Sequence, residues 1–170
     1  MMEGVSNELT PDLAATIEAA NASRDRANMR PTIDFFTDLL RQHPDNPYVQ
    51  YEVGGAYDTA GLEEDAIPYY ERALPGLSGD TRRRCLLQYG STLRNLGRYD
   101  ESLEVFTKAC QEYPESDALR VFKALTLNAA GRKDKALATL LLVIADRVDS
   151  KDVRRYEAAI RGNAADLAGH

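Results

Sequence analysis

The sequence predicts an all-α protein built from antiparallel helix pairs stacked one on the next. Three observations carry this reading. Stretches 51–74 and 87–110 superimpose at an offset of 36 residues, which sets Gly54 on Gly90, Gly61 on Gly97, Tyr57 on Leu93, Ala66 on Ser102, Tyr70 on Phe106 and Ala73 on Ala109. A third copy occupies 122–143, where Gly131 matches Gly97 at an offset of 34 and Ala124, Ala136 and Leu140 take the places of Gly90, Ser102 and Phe106. Within each copy the small and large positions share one helical stripe: from Leu86 the steps of four, seven and eleven to Gly90, Leu93 and Gly97 stay within about 40°, and Gln50, Gly54, Tyr57 and Gly61 repeat them. Self-similarity at such a period is the mark of a repeat architecture.

The elements follow in order. Thr10-Pro11-Asp12 starts a helix over about 11–23, with a capping hydroxyl, a proline in the first turn and an early acid. A second helix spans about 31–42, with Ile33, Phe36, Leu39 and Leu40 inward. His43-Pro44-Asp45-Asn46-Pro47 ends it, since proline cannot continue a helix and restricts the residue before it. These two helices form a degenerate first repeat, 10–46. The next repeat, 47–80, carries Pro68 near the first turn of its second helix, and its PGLSGD loop makes it two residues long. Asp80 or Thr81 is the expected cap of the following helix. Repeats 83–116 and 117–146 come next. Ser150 caps a final helix, 151–167, with Val153, Tyr156 and Ile160 on one face, covering the open end of the stack.

The glycines divide into two classes. Gly54 and Gly90 sit in mid-helix, where each costs about 1 kcal/mol against alanine. They are expected to be packing sites that let a partner helix approach closely. Gly61 and Gly97 sit at helix ends, where a left-handed residue closes the last turn.

The pattern of small, large and aromatic positions resembles the tetratricopeptide repeat. The likeness covers residues 47–146 well and reaches weakly back to about residue 10. The run GLSG, followed by GSTLR and LG and a final helix, is similar to a small bacterial group within that family. The resemblance implies a right-handed superhelical solenoid of about nine helices, with residues 1–9 irregular or disordered and 10–167 a single domain. It also implies a concave face lined by the first helix of each repeat. The stripe not used for packing places Tyr48, Tyr51, Glu52 and Asp58 there from one repeat, Arg84, Gln88, Ser91 and Arg94 from the next, and Val121, Phe122, Leu125 and Asn128 from the last. Tyrosine and phenylalanine would anchor a peptide segment or helix, and the arginines would direct hydrogen bonds. The alternative has these rings packing on neighbouring helices, Asp58 pairing with Arg94, and the last helix covering Val121, Phe122 and Leu125.

The family's carboxylate clamp uses a Lys and an Asn, then an Asn, then a Lys and an Arg, where this chain has Tyr51 and Gly55, then Gln88, then Ala118 and Phe122, so none of its basic positions is filled. Acidic chaperone tails are therefore not expected as partners. A net charge of −6 argues against a general nucleic-acid binder. Of the arginine run 82–84, only Arg84 is expected to face the groove. The longest apolar run, Ala136 to Ala145, is too short to span a bilayer. Cys85 and Cys110 have no metal spacing and read as buried thiols of a cytoplasmic protein. His43 stands in a turn and His170 ends the sequence, neither beside a nucleophile, so no enzyme, cofactor or metal is expected. The function expected is a non-catalytic interaction module. The alternative is a homo-oligomeric scaffold, such as a homodimer, built on the last repeat and the final helix.

Overall fold

The computed structural model describes residues 7–169. Among them are nine α-helices: α1 (Pro11–Ser23), α2 (Arg30–Gln42), α3 (Pro47–Thr59), α4 (Glu63–Ala73), α5 (Gly79–Asn95), α6 (Tyr99–Glu112), α7 (Asp117–Ala129), α8 (Lys133–Arg147) and α9 (Lys151–Ala168). A 3-10 turn, Leu74–Gly76, follows α4, and no strand occurs among the described residues. The all-α expectation holds. The chain divides into two compact units, Met1–Thr92 and Leu93–His170, at a boundary inside α5.

In the first unit α1 packs on α2, α2 on α3 and α3 on α4. One core joins Leu13 and Ile17 of α1 to Ile33, Phe36 and Leu39 of α2 and to Val49, Val53 and Ala56 of α3. A second core gathers Tyr51, Ala66, Tyr70, Ala73, Leu77 and Cys85, so that α3, α4 and the start of α5 share it. In the second unit α6, α7, α8 and α9 pack in sequence. There Leu103, Ala124, Leu127 and Ala136 form one buried cluster. An ion-pair network ties the last three helices together: Arg120 of α7 meets Asp146 of α8 at 2.8 Å, and Arg161 of α9 meets the same carboxylate at 2.9 Å. Those guanidinium groups hold the Asp146 carboxyl below its usual range.

The small positions lie inside, and at Gly54 the close approach that its spacing implies is present. Gly54, Gly90 and Ala124 are all buried. A Cβ on Gly54 would stand 3.0 Å from the ring of Tyr70 and 3.3 Å from Cβ of Tyr69. The helix-end glycines are left-handed, with φ of 75° at Gly61, 75° at Gly97 and 77° at Gly131. Each makes the same pair of backbone bonds. Gly61 N–H donates to Asp58 and Leu62 N–H to Tyr57; Gly97 and Arg98 do so to Arg94 and Leu93, and Gly131 and Arg132 to Asn128 and Leu127. This is the Schellman closure, which satisfies carbonyls that a helix end leaves open.

Thr10 and Ser150 cap α1 and α9 as their position implies, accepting from Leu13 N–H at 3.3 Å and Val153 N–H at 3.2 Å. Three local expectations are corrected. The helix α5 begins at Gly79, itself left-handed at φ 55°, so Asp80 and Thr81 lie inside its first turn instead of capping it. Asp80 there accepts from Arg83 at 2.6 Å. Pro68 is the sixth residue of α4, past the first turn, and costs that helix one internal bond on its exposed side. Tyr156 is 58% exposed, because it lies at the edge of the stripe that Val153, Ile160 and the buried Ala164 turn toward α8. Leu125, for which the sequence left both outcomes open, is 45% exposed, so α9, which packs on α8, leaves it uncovered. His170 lies outside the described residues.

Candidate functional site

The face of the first unit carries a cavity of about 260 Å³. Met29, Phe36 and Ala56 give it an apolar floor, and most of the remaining lining is polar. The C-terminal end of α1 contributes Asn21, the turn after it Arg24 and Arg26, α3 contributes Tyr51, Glu52, Gly55, Asp58 and Thr59, and α5 contributes Arg84 and Gln88. Helical geometry explains the α3 set: steps of three and seven from Glu52 reach Gly55 and Thr59 on one face. Gly55 leaves the middle of that face without a side chain. A Cβ there would meet only Gln88 Oε1, at an ordinary 3.7 Å.

Burial governs the electrostatics. It raises the Glu52 carboxyl above its ordinary range, against the hydrogen bond from Asn21 and the nearby charges of Arg84 and Arg24. Asn21 Nδ2 donates to Glu52 Oε2 at 2.9 Å. Burial raises Asp58 as well, against the Tyr70 and Thr92 hydroxyls. Tyr70 O–H donates to Asp58 Oδ2 at 3.1 Å and lies 3.2 Å from Gln88 Oε1. The Tyr51 phenol is pushed up to about 12, mainly by burial.

A carboxyl whose folded pKa exceeds its unfolded value stabilises the fold fully below the unfolded pKa, and that contribution is lost as pH rises through the folded one. Glu52→Gln is therefore expected to raise the melting temperature at neutral pH and to flatten its fall between mildly acidic and neutral pH. Thermal melts across that window, followed by circular dichroism, check this. An unchanged pH profile would show that Glu52 carries no burial cost.

The residues proposed from sequence are placed as follows. Asp58, Arg84, Gln88 and Tyr51 all line this one cavity. Tyr51, expected as an exposed anchor, is only 4% exposed, because its ring enters the core beside Tyr70, with centroids 6.4 Å apart. Tyr48 is half-buried between the two cores of the unit and lines a neighbouring depression with Leu9, Ile17 and Arg84. Ser91 donates to Leu87 O at 2.8 Å within its own helix. Arg94, Phe122 and Asn128 belong to the second unit. There the Arg94 guanidinium stands 5.8 Å over the Phe122 ring, and its buried Nη1 has no hydrogen-bond partner among the described residues. Asn128 is exposed near the end of α7. Of the arginine run, Arg82 donates to Leu74 O and Arg83 to Asp80, while Arg84 lines the cavity.

Sequence reasoning missed Asn21, Arg24 and Arg26, which come from the degenerate first repeat, where no aligned copy marks the lining positions. It also missed the cap of α3. Asn46, fully buried, accepts from Tyr48 N–H at 3.0 Å and Val49 N–H at 3.3 Å. An asparagine directly before a proline that opens a helix was the available signal.

The profile of the family described as Tetratrico peptide repeat matches residues 47–167. The chain belongs to the tetratricopeptide repeat family. Its matched part begins at the first residue of α3 and takes in all but the last residue of α9. No curated protein matches the chain. Tetratricopeptide repeats generally serve protein–protein interaction and act as non-catalytic scaffolds, so protein partners are the general expectation here. No helix among the described residues is long and apolar enough to cross a membrane.

Proposed function

We propose that this tetratricopeptide repeat protein is a non-catalytic adaptor that holds a peptide segment of a partner protein at the cavity of its first unit. The observation that carries the reading is the cavity itself. Polar side chains from four helices and one turn converge on a recess that Gly55 keeps open. Pockets with a few convergent polar groups are the default binding sites of a fold. Arg84, Gln88 and Asp58 would direct hydrogen bonds to the segment, Tyr48 would offer an aromatic edge beside them, and Tyr51 would form part of the wall. Ser91 would give a further contact in this unit, while Arg94 over Phe122, with Asn128, would offer contacts of their own in the second unit. Both cysteines are free thiols, which suits the cytoplasm as the compartment.

Gly55→Phe tests the reading without disturbing the core, as replacing buried Tyr51 would. The new ring would fill the recess, and leaving glycine in mid-helix gains up to about 1 kcal/mol of helix stability. Capture of partner proteins from a lysate of the source cells is expected to fall about tenfold or more, roughly 1.4 kcal/mol of affinity, with the melting curve intact. Undiminished capture by the folded variant would refute the site.

A further inference from the structure

We infer that the first-unit cavity takes a basic side chain, a lysine or arginine of the bound segment, with Glu52 and Asp58 as its acceptors. This rests on the reading of the cavity as the binding site and names the chemistry of its occupant.

The two carboxylates are short of positive charge. Glu52 accepts from the amide of Asn21 at 2.9 Å, and Asp58 from the hydroxyl of Tyr70 at 3.1 Å, with the Thr92 hydroxyl beside it. All of these donors are neutral. Arg24 and Arg84 lie close enough to Glu52 to act on it through space, yet among the described residues no cation forms an ion pair with either carboxylate. The charge that acts on Asp58 through space is that of another acid, Glu63. Each carboxylate has about four lone-pair sites, so both keep acceptor capacity toward the cavity.

The lining also holds three arginines, and an acidic ligand is the rival. The solvation of the two sets decides between them. Arg26 and Arg84 are exposed, so water already serves their charge, and Arg24 reaches Asn21 Oδ1 at 3.5 Å. Glu52 and Asp58 are half-buried in the cavity wall, and burial is the largest influence on both. A buried anion without a counter-ion gains most from a partner. A guanidinium or ammonium entering the recess supplies that partner through charge-assisted bonds, while Arg24 and Arg84 at the edge remain free for backbone carbonyls of the same segment.

The test uses random peptides displayed on phage and selected against the immobilised full-length chain. Enriched peptides are expected to share a lysine or arginine. The affinity of one such peptide, made synthetically, should fall about tenfold or more in the Glu52→Gln/Asp58→Asn double variant. It should fall similarly when its basic residue is changed to methionine. Arg84→Ala should weaken binding without reversing the preference for a basic residue. Both substitutions in the double variant remove a buried charge and nearly keep shape, so a melting curve at or above that of the parent shows the fold intact. Binding should also strengthen from mildly acidic to neutral pH as Glu52 and Asp58 ionise, in a setting that holds Asn21, Arg24, Arg84, Tyr51, Glu63, Tyr70 and Thr92. Peptides that bind the double variant undiminished but are lost with Gly55→Phe would overturn this inference alone. Enrichment of acidic peptides that depend on Arg84 would also overturn it, in favour of the arginines. Absence of any enrichment would overturn it together with the binding role of the cavity.

Discussion

Tyr70→Ala is expected to cost about 3–5 kcal/mol of stability, the usual range for emptying an aromatic site in a core. Tyr70 is the largest of the fully buried side chains. Its ring fills the space opened by Gly54, lies 6.4 Å from that of Tyr51 and 6.3 Å from that of Tyr89, and belongs to the cluster containing Ala66, Ala73, Leu77 and Cys85. Its removal leaves a cavity between α3, α4 and α5 that small neighbours cannot collapse into. The hydroxyl is a separate contribution, because it donates to Asp58. Tyr70→Phe keeps the ring and should cost only about 1–2 kcal/mol, the price of a buried acceptor losing its donor. The chain has no tryptophan, so urea unfolding followed by circular dichroism is the suitable measurement. A loss below about 1 kcal/mol for alanine would show that the site relaxes around the missing ring.

The second large effect falls on two adjacent glycines and has opposite signs. Gly54→Val is expected to destabilise by about 3 kcal/mol, at the upper end of ordinary overpacking. Its Cβ would press on Tyr70 at 3.0 Å and Tyr69 at 3.3 Å before any methyl group is added. Tyr70 cannot yield, since its ring is enclosed and its hydroxyl is fixed at the far end. Gly55→Ala, one residue on, meets only the end of Gln88 at 3.7 Å and should stabilise by about 0.5–1 kcal/mol through helix propensity. Urea unfolding of the two single variants, side by side, separates close approach from propensity. Equal shifts of the same sign would contradict the packing role given to Gly54.

The fold was largely legible because its signals are local and repeated. Gly61, Gly97 and Gly131 announce helix ends by chemistry that needs no distant partner, and Thr10 and Ser150 announce starts in the same way. The mid-helix glycine became readable only by alignment of the copies, which showed that a small residue recurs where a large one would be cheaper. Gly76 gave no such signal. A Cβ on it would stand 2.8 Å from Pro47, a contact made across the whole α3–α4 pair that no neighbouring residue foretells.

The cavity was legible in half. Asp58, Arg84 and Gln88 were found because they sit on aligned repeats, whose periodicity tells inward from outward. The contribution of α1 and the turn after it was not, because polar residues at a helix end read alike whether they face solvent or a recess. Tyr51 was misjudged for a related reason: a tyrosine can lie on the exposed stripe by angle and still be long enough to bend its ring into the core.

The three glycine closures have one more consequence. Each is completed by main-chain atoms of its own turn, so the joint makes no demand on the identity of the side chains around it. A segment cut at such joints can be copied in frame, or dropped, without a new connection having to be invented. Spacings of 36 and then 34 residues between these joints are what repeated duplication with small later insertions would leave behind. The length of the array is thus open to change by gene rearrangement, while the residues that face a partner diverge copy by copy.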